Sequence, residues 1–240
     1  MEHAFLGKNG RKVCERLVPN KNDKAEVNIM AKLYFKFGAM GSSKTAQALM
    51  TKFNYEEKDQ TVWLIKPATD TRDDKKDENG KIITVLRSRI GLFAEAEAIT
   101  ADIDLFDEFN KRSVNGKYAD VIICDECQFL TPRQVNQMKD LADKLDVPVL
   151  CFGLRADFQT KLFPGSRRLF EIADSISEIK SICRCGRKAT VNARFDGSGK
   201  IVIKGEQVFL GGNDSYTGMC YKCYRALIEK TYGEEAKDVF

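Results

Sequence analysis

The sequence predicts an α/β fold, in which a mostly parallel sheet flanked by helices is followed by a small region rich in cysteine. Two observations predict this fold. Apolar strand patterns alternate with helical patterns from about residue 31 to residue 180, as in layered α/β domains. Beyond residue 180 the chain changes to cysteine pairs, glycines and short strand patterns.

Composition narrows the function before any motif is considered. The 240 residues carry a net charge of +4 and are 43% hydrophobic, as in an ordinary globular protein. The lone histidine, His3, excludes a Ser-His-Asp triad or a multi-histidine metal site. Without a secretory signal, or an apolar run of about 20 residues, we expect a cytoplasmic protein that does not enter membranes. Eight cysteines in such a compartment favour metal binding or free thiols.

The elements follow from apolar patterns taken in chain order. Residues 32–37 alternate and are aromatic-rich, which predicts a strand, and a helix is expected over 44–53. Further strands are predicted at 61–65, 82–86, 121–124 and 147–152. The last two are continuous apolar runs, which is typical of buried parallel strands.

Two intervening segments have their own signals. Thr131, Pro132 and Gln134 form a helix start, with Thr131 as N-cap and Gln134 three residues later. The composition of 70–80, rich in charged residues, predicts a solvated loop.

A phosphate-binding loop is indicated between the first strand and the first helix. Small residues there would let backbone N–H groups surround phosphate oxygens, Lys44 would reach the β- and γ-phosphates, and Thr45 would bind Mg²⁺. Ser43 stands where the strict pattern has its second glycine, so a simple Gly/Ser turn is the alternative. The candidate residues are Gly38, Ala39, Met40, Gly41, Ser42, Ser43, Lys44 and Thr45.

The strand at 121–124 delivers two carboxylates at its C-terminal end, where α/β sheets bind ligands. Successive strand residues point to opposite faces, so the two should differ in role. Asp125 is expected to hold Mg²⁺ and Glu126 to act as general base; the alternative is that they cap the next turn. Cys124 and Cys127 flank them in a C-x-x-C pattern, but a buried strand position disfavours redox chemistry.

Four later cysteines form two close pairs, as in a zinc ribbon that closes a tetrahedral structural site. The first pair is C-x-C instead of the usual C-x-x-C, and disulfides are the alternative. The candidate zinc ligands are Cys183, Cys185, Cys220 and Cys223.

Taken together, the motifs resemble those of the type II thymidine kinases. The resemblance covers about residues 31–225 and lies in GAMGSSKT, DTR at 70–72, DECQF at 125–129, DFQTKLF at 157–163, the four cysteines and GGNDSY at 211–216. It implies a RecA-like P-loop domain with a zinc ribbon and a lasso loop. It also implies ATP-dependent phosphorylation of the 5′-hydroxyl of thymidine or deoxyuridine in nucleoside salvage, by a homotetramer.

The resemblance also assigns residues. Glu126 matches the family's base, Arg72 an arginine near the phosphates, and Phe129 a ring that packs on thymine. Gln128 matches a neighbour of the acidic strand end and has no assigned role. Arg155 is not assigned by the resemblance; because it follows a buried strand, it would either stabilise transition-state charge or form a salt bridge. The remaining nucleoside-binding matches are Phe158, Phe163 and the lasso residues Leu210, Gly211, Gly212 and Tyr216.

Four regions are therefore expected: an N-terminal extension at 1–29, a nucleotide-binding domain at 30–180, a zinc and lasso domain at 181–225, and a tail at 226–240. A DExx-type ATPase acting on nucleic acid is the main alternative function. It is disfavoured because about 200 residues hold only one such core and no basic stripe is present, so nucleic acid is not expected as a partner. A zinc-ribbon scaffold with a regulatory nucleotide site is the other alternative.

Overall fold

A computed structural model describes residues 30–76, 78, 80–207 and 216–239. Contacts divide the chain into Met1–Met30 and Ala31–Phe240, and the elements below belong to the second unit. The helices are α1 (Lys44–Glu56), α2 (Leu105–Val114), α3 (Pro132–Leu145), α4 (Pro164–Ile172) and α5 (Tyr221–Tyr232). The strands are β1 (Leu33–Phe37), β2 (Val62–Pro67), β3 (Lys75–Lys76), β4 (Ile82–Ile83), β5 (Val85–Arg87), β6 (Phe93–Glu95), β7 (Glu97–Ile99), β8 (Val121–Cys124), β9 (Val149–Gly153), β10 (Ser175–Glu178), β11 (Val191–Phe195), β12 (Ile201–Val202) and β13 (Tyr216–Met219).

The central sheet is built from six parallel strands in the order β10-β1-β9-β8-β2-β7. Every residue of β8 and β9 is buried, because helices cover both faces, as parallel sheets require. The predicted parallel α/β sheet is therefore confirmed. Since β9 lies between β1 and β8, the carboxyl ends of these three strands share one edge.

The core has one apolar cluster on each face of the sheet. On one face, Phe109 of α2, Met138 of α3 and Leu169 of α4 belong to one cluster with apolar residues of the sheet, among them Trp63 of β2. On the other face, Leu49 of α1 joins apolar residues of β2, β8 and β9. Among the described residues, every helix is too short or too polar to cross a bilayer.

The start of α3 follows the predicted pattern. The Thr131 hydroxyl accepts a hydrogen bond from the Gln134 N–H at 3.2 Å, and Gln134 Oε1 accepts one from the Thr131 N–H at 3.1 Å. This reciprocal arrangement satisfies two N–H groups that the first turn leaves without helical partners.

Two predictions need correction near β4. The single strand expected at 82–86 is two strands, β4 paired with β3 and β5 paired with β6, outside the central sheet. The break falls at Thr84, whose carbonyl accepts the Ala96 N–H at 2.9 Å. The segment predicted as a solvated loop at 70–80 contains a buried residue, since Asp70 is 3% exposed, and a short strand, β3, whose two lysines are exposed. Helices α2 and α4 and strands β3, β6, β7 and β10 have no counterpart among the elements that the sequence predicts.

A second, smaller sheet follows, with antiparallel strands in the order β12-β11-β13. Helix α5 packs on it and buries Tyr224 and Ile228 against Val191 and Ala193. The helix continues to Tyr232, past residue 226 where the sequence places the start of a tail, because Ile228 belongs to this apolar core.

Replacing Thr131 with alanine should lower the free energy of unfolding by about 1 kcal/mol, because α3 loses its N-cap acceptor. Denaturant unfolding measures the effect. Thr131→Ser is the matched control, since it keeps the hydroxyl; equal stability of the alanine variant and the parent protein would show that the cap contributes nothing.

Candidate active site

The predicted phosphate loop joins β1 to α1 and surrounds a buried lysine. Lys44, 7% exposed, donates from Nζ to the carbonyl oxygens of Ala39 at 3.0 Å and Gly38 at 3.3 Å. Burial lowers the pKa of Lys44, and the nearby charges of Glu126 and Asp125 oppose that shift. The loop therefore holds a cation within the field of both carboxylates.

The loop's backbone leaves the helical region just before α1 begins. Gly41 has φ +77° and Ser43 has φ +61°, a left-handed conformation that suits glycine and strains other residues. Ser43, which stands where the strict phosphate-loop pattern has a glycine, therefore places a side chain at a position whose backbone conformation favours glycine. The Ser43 side chain makes no capping hydrogen bond to α1 that would offset this strain.

Asp125 lies at the end of β8 and is 1% exposed. Neither of its carboxylate oxygens accepts a hydrogen bond of ordinary geometry from the described residues. Burial and the charge of Glu126 raise the pKa of Asp125, while the Thr45 hydroxyl and Lys44 act in the opposite direction. A buried carboxylate with free lone pairs, next to a hydroxyl, suits a hard cation such as Mg²⁺.

Glu126 is held from two sides. Its Oε1 pairs with Arg72 Nη2 at 2.6 Å, and its Oε2 accepts a hydrogen bond from Gln128 Nε2. Gln128 is 1% exposed, and its Oε1 accepts the Leu154 N–H at 2.9 Å. Gln128 therefore ties the Glu126 carboxylate to the segment that follows β9.

A chain of ion pairs continues behind Arg72. Arg72 Nε lies 2.7 Å from Asp70 Oδ1, and the fully buried Lys66 lies 3.9 Å from Asp70 Oδ2 and 2.9 Å from Asp74 Oδ1. Burial opposes ionisation of Asp70, but hydrogen bonds and charge from Arg72 and Lys66 prevail and lower the pKa of Asp70. The segment after β2 is thereby fixed beside Glu126.

A cavity opens beside Glu126, and aromatic rings form much of its wall. The rings of Phe129 and Phe163 meet edge to face, with centroids 5.7 Å apart. The Arg194 guanidinium lies over the Phe158 ring, 5.1 Å from the ring centroid. The lining residues that the sequence singled out are Met40, Arg72, Glu126, Gln128, Phe129, Phe158, Phe163 and Tyr216.

Five further lining residues carry no predicted role: Leu154, Ala156, Asp157, Asn192 and Gln207. Asp157 belongs to the motif DFQTKLF, so the sequence could have identified it as a site residue. Asn192 lies in a strand and belongs to no motif, so the sequence does not distinguish it from other strand residues. Leu210, Gly211 and Gly212, the other predicted lasso residues, lie outside the described residues. Gln207, before that segment, donates to Asp157 Oδ2 at 2.8 Å.

The four predicted zinc ligands come together, with all sulfur atoms within 4.8 Å of one another. Tetrahedral zinc with thiolate ligands requires sulfur separations of about 3.8 Å, and Cys185 Sγ lies 3.5 Å from Cys220 Sγ. Backbone N–H groups of Cys185 and Cys220 lower the pKa of Cys183 to about 6, whereas the neighbouring sulfurs raise that of Cys223 to about 12. A bound cation would reduce the electrostatic repulsion among the four cysteine sulfurs.

The remaining predicted groups lie elsewhere. Arg155 donates from Nη2 to the Thr190 carbonyl at 3.0 Å, a contact with the smaller sheet region that the sequence did not suggest. Cys124, Cys127 and Cys151 are buried free thiols. Burial raises the pKa of both Cys124 and Cys127, which disfavours a reactive dithiol there.

Comparison with known proteins gives a consistent result. The family described as "Thymidine kinase" matches residues 31–224. Proteins named thymidine kinase from Shewanella oneidensis, Ruegeria pomeroyi and Vibrio vulnificus are 40%, 44% and 42% identical to this chain. The alignments cover 83%, 82% and 84% of this chain and 99%, 94% and 100% of those proteins.

Replacing Ser43 with glycine should raise the free energy of unfolding by about 1 kcal/mol, because glycine adopts the left-handed conformation without steric cost. Thermal and denaturant unfolding measure it. Gln47→Gly on α1 is the control, since a glycine within a helix should destabilise the protein; a destabilised Ser43→Gly variant would contradict the strain at this position.

Proposed function

The chain belongs to the thymidine kinase family and is an enzyme that phosphorylates thymidine; we propose that ATP is the donor and the nucleoside 5′-hydroxyl the acceptor. The observation that carries this proposal is the position of Glu126, which lines a cavity walled by aromatic rings and follows Asp125 directly. Acceptor, base and phosphate loop would then meet at one edge of the sheet, where α/β proteins bind their ligands.

In the acceptor site, the rings of Phe129, Phe158 and Phe163 would enclose the pyrimidine, and Tyr216 would contact it. Glu126 would accept the proton of the 5′-hydroxyl while the hydroxyl oxygen attacks the γ-phosphorus in line; the bond from the γ-phosphorus to the bridging oxygen would break, and ADP would leave. The contacts of Glu126 with Arg72 and Gln128 support this role because they hold the carboxylate in one orientation.

On the donor side, the loop at residues 38–45 would hold the triphosphate through backbone N–H groups, with Lys44 neutralising its charge. Asp125 and Thr45 would hold Mg²⁺, which supplies charge neutralisation at the phosphates when bound. Among the described residues no group makes a hydrogen bond of ordinary geometry to the Asp125 oxygens, which supports this choice of ligand. Arg72 would stabilise charge on the transferred phosphoryl group.

Four cysteines, Cys183, Cys185, Cys220 and Cys223, would bind one structural zinc ion. The metal would cross-link the segment before β11 to the start of α5 and so stabilise a small core. We further propose that deoxyuridine is a second acceptor, that the enzyme serves nucleoside salvage in the cytoplasm, and that it assembles as a homotetramer, which light scattering would test.

Incubation of the full chain with Mg-ATP and thymidine tests the reaction, with the monophosphate as expected product. ATP hydrolysis stimulated by DNA, without any monophosphate, would exclude the kinase reaction and favour the DExx-type ATPase. Omitting Mg²⁺ should abolish turnover.

Replacing Glu126 with glutamine should lower kcat by about 10²–10⁴-fold, because the reaction loses its general base. Binding of a non-hydrolysable ATP analogue should change little. Glu171→Gln, which alters an exposed carboxylate on α4, is the control. An unchanged kcat in Glu126→Gln would remove this residue from the mechanism.

Purified protein should contain one zinc ion per chain by elemental analysis, and Cys220→Ser should lose most of it and unfold at a lower temperature. Cys151→Ala is the control, since it removes a buried thiol outside the cluster and should retain the metal. Protein that folds fully without metal would refute the zinc site.

A further inference from the structure

Asn192 links the phosphate loop to the wall of the cavity. It lies on β11 and is 5% exposed. Its Oδ1 accepts the Met40 N–H at 2.7 Å, and its Nδ2 donates to the Ala156 carbonyl at 2.7 Å. One acceptor and one donor are both satisfied, which fixes the orientation of the amide.

Gly218, on the neighbouring strand β13, lies against the same loop residue, Met40. It is the register partner of Asn192 in the pairing of β11 with β13. A Cβ atom at Gly218 would lie 2.6 Å from the Met40 carbonyl oxygen and 3.5 Å from the Ala39 Cβ. Because backbone opposes it, no side chain fits there without moving the loop.

The loop's own conformation makes such support necessary. Ser43 is strained at φ +61°, and strained residues persist only where the surrounding structure determines them. Ala39, at the other end of the loop, packs against Cys183, Ala189 and Cys220 of the smaller region.

We propose that Asn192 and Gly218 are positioning residues, which hold Met40 and so set the phosphate loop at a fixed distance from the nucleoside cavity. This role rests on the proposed function, since it takes the loop as the ATP site. The smaller sheet would then serve the donor side of the reaction as well as the acceptor side.

Two substitutions test this role through the same loop. Asn192→Leu and Gly218→Ala should each weaken binding of a non-hydrolysable ATP analogue about tenfold and lower kcat, with zinc content unchanged. Gly218→Ala should raise the KM for thymidine by a smaller factor than it weakens binding of the ATP analogue, because Gly218 does not line the cavity itself and affects it only through Met40. The loss of binding free energy for the ATP analogue in the double variant should be smaller than the sum of the losses in the two single variants, because both substitutions act on Met40.

Gly197→Ala is the matched control, because it lies in the turn between β11 and β12 and its Cβ would meet open space. If Asn192→Leu or Gly218→Ala does not fold, Asn192→Ser gives the same readout with a milder change. Folded, zinc-containing variants that bind the ATP analogue like the parent protein would overturn the positioning role. A parent protein that binds the analogue but makes no thymidine monophosphate would instead refute the proposed function.

Discussion

Charged groups buried where the parallel strands end are the constraint on which the site depends. An ion taken out of water costs several kcal/mol unless partners compensate it. Lys44 and Asp125 are both under 10% exposed, and each lies in the field of the other. The loop between β1 and α1 turns the carbonyl oxygens of Gly38 and Ala39 toward Lys44, whereas the Asp125 oxygens accept no hydrogen bond of ordinary geometry from the described residues. Lys44 is therefore suited to contact a negatively charged group of a ligand, and the Asp125 carboxylate is suited to contact a cation.

The same need for compensation orients Glu126. Lys66, Asp70 and Arg72 alternate in sign along the segment from β2, and the last of them pairs with Glu126. On the other side, Gln128 connects the carboxylate to the backbone after β9. Contacts from two strand ends thus fix a side chain whose own backbone, at φ +50°, is strained. In the proposed reaction, preorganisation of this kind would remove the cost of orienting the Glu126 carboxylate.

The smaller sheet supports the site with backbone and packing instead of charge. Gly218, which contacts the phosphate loop, lies two residues before the cysteine that caps α5. The proposed zinc ligand Cys220 and the proposed loop contact at Gly218 therefore lie on one short segment. The aromatic residue Phe158 connects the regions again, because its carbonyl accepts a hydrogen bond from Tyr224 Oη of α5 at 2.6 Å.

The sequence by itself determined what contiguous residues encode. The phosphate loop, the apolar run of β8 with its two acids, the capping box of α3 and the spacing of the four cysteines are local patterns, and each was readable without a structure. The tertiary structure decided which distant residues meet. Asn192 bonds to Met40 across 152 positions, Asp70 is buried although its segment has a loop composition, and 82–86 divides between two small sheets. Such contacts depend on strand order and on partners far along the chain, and the periodicity of one segment does not specify either.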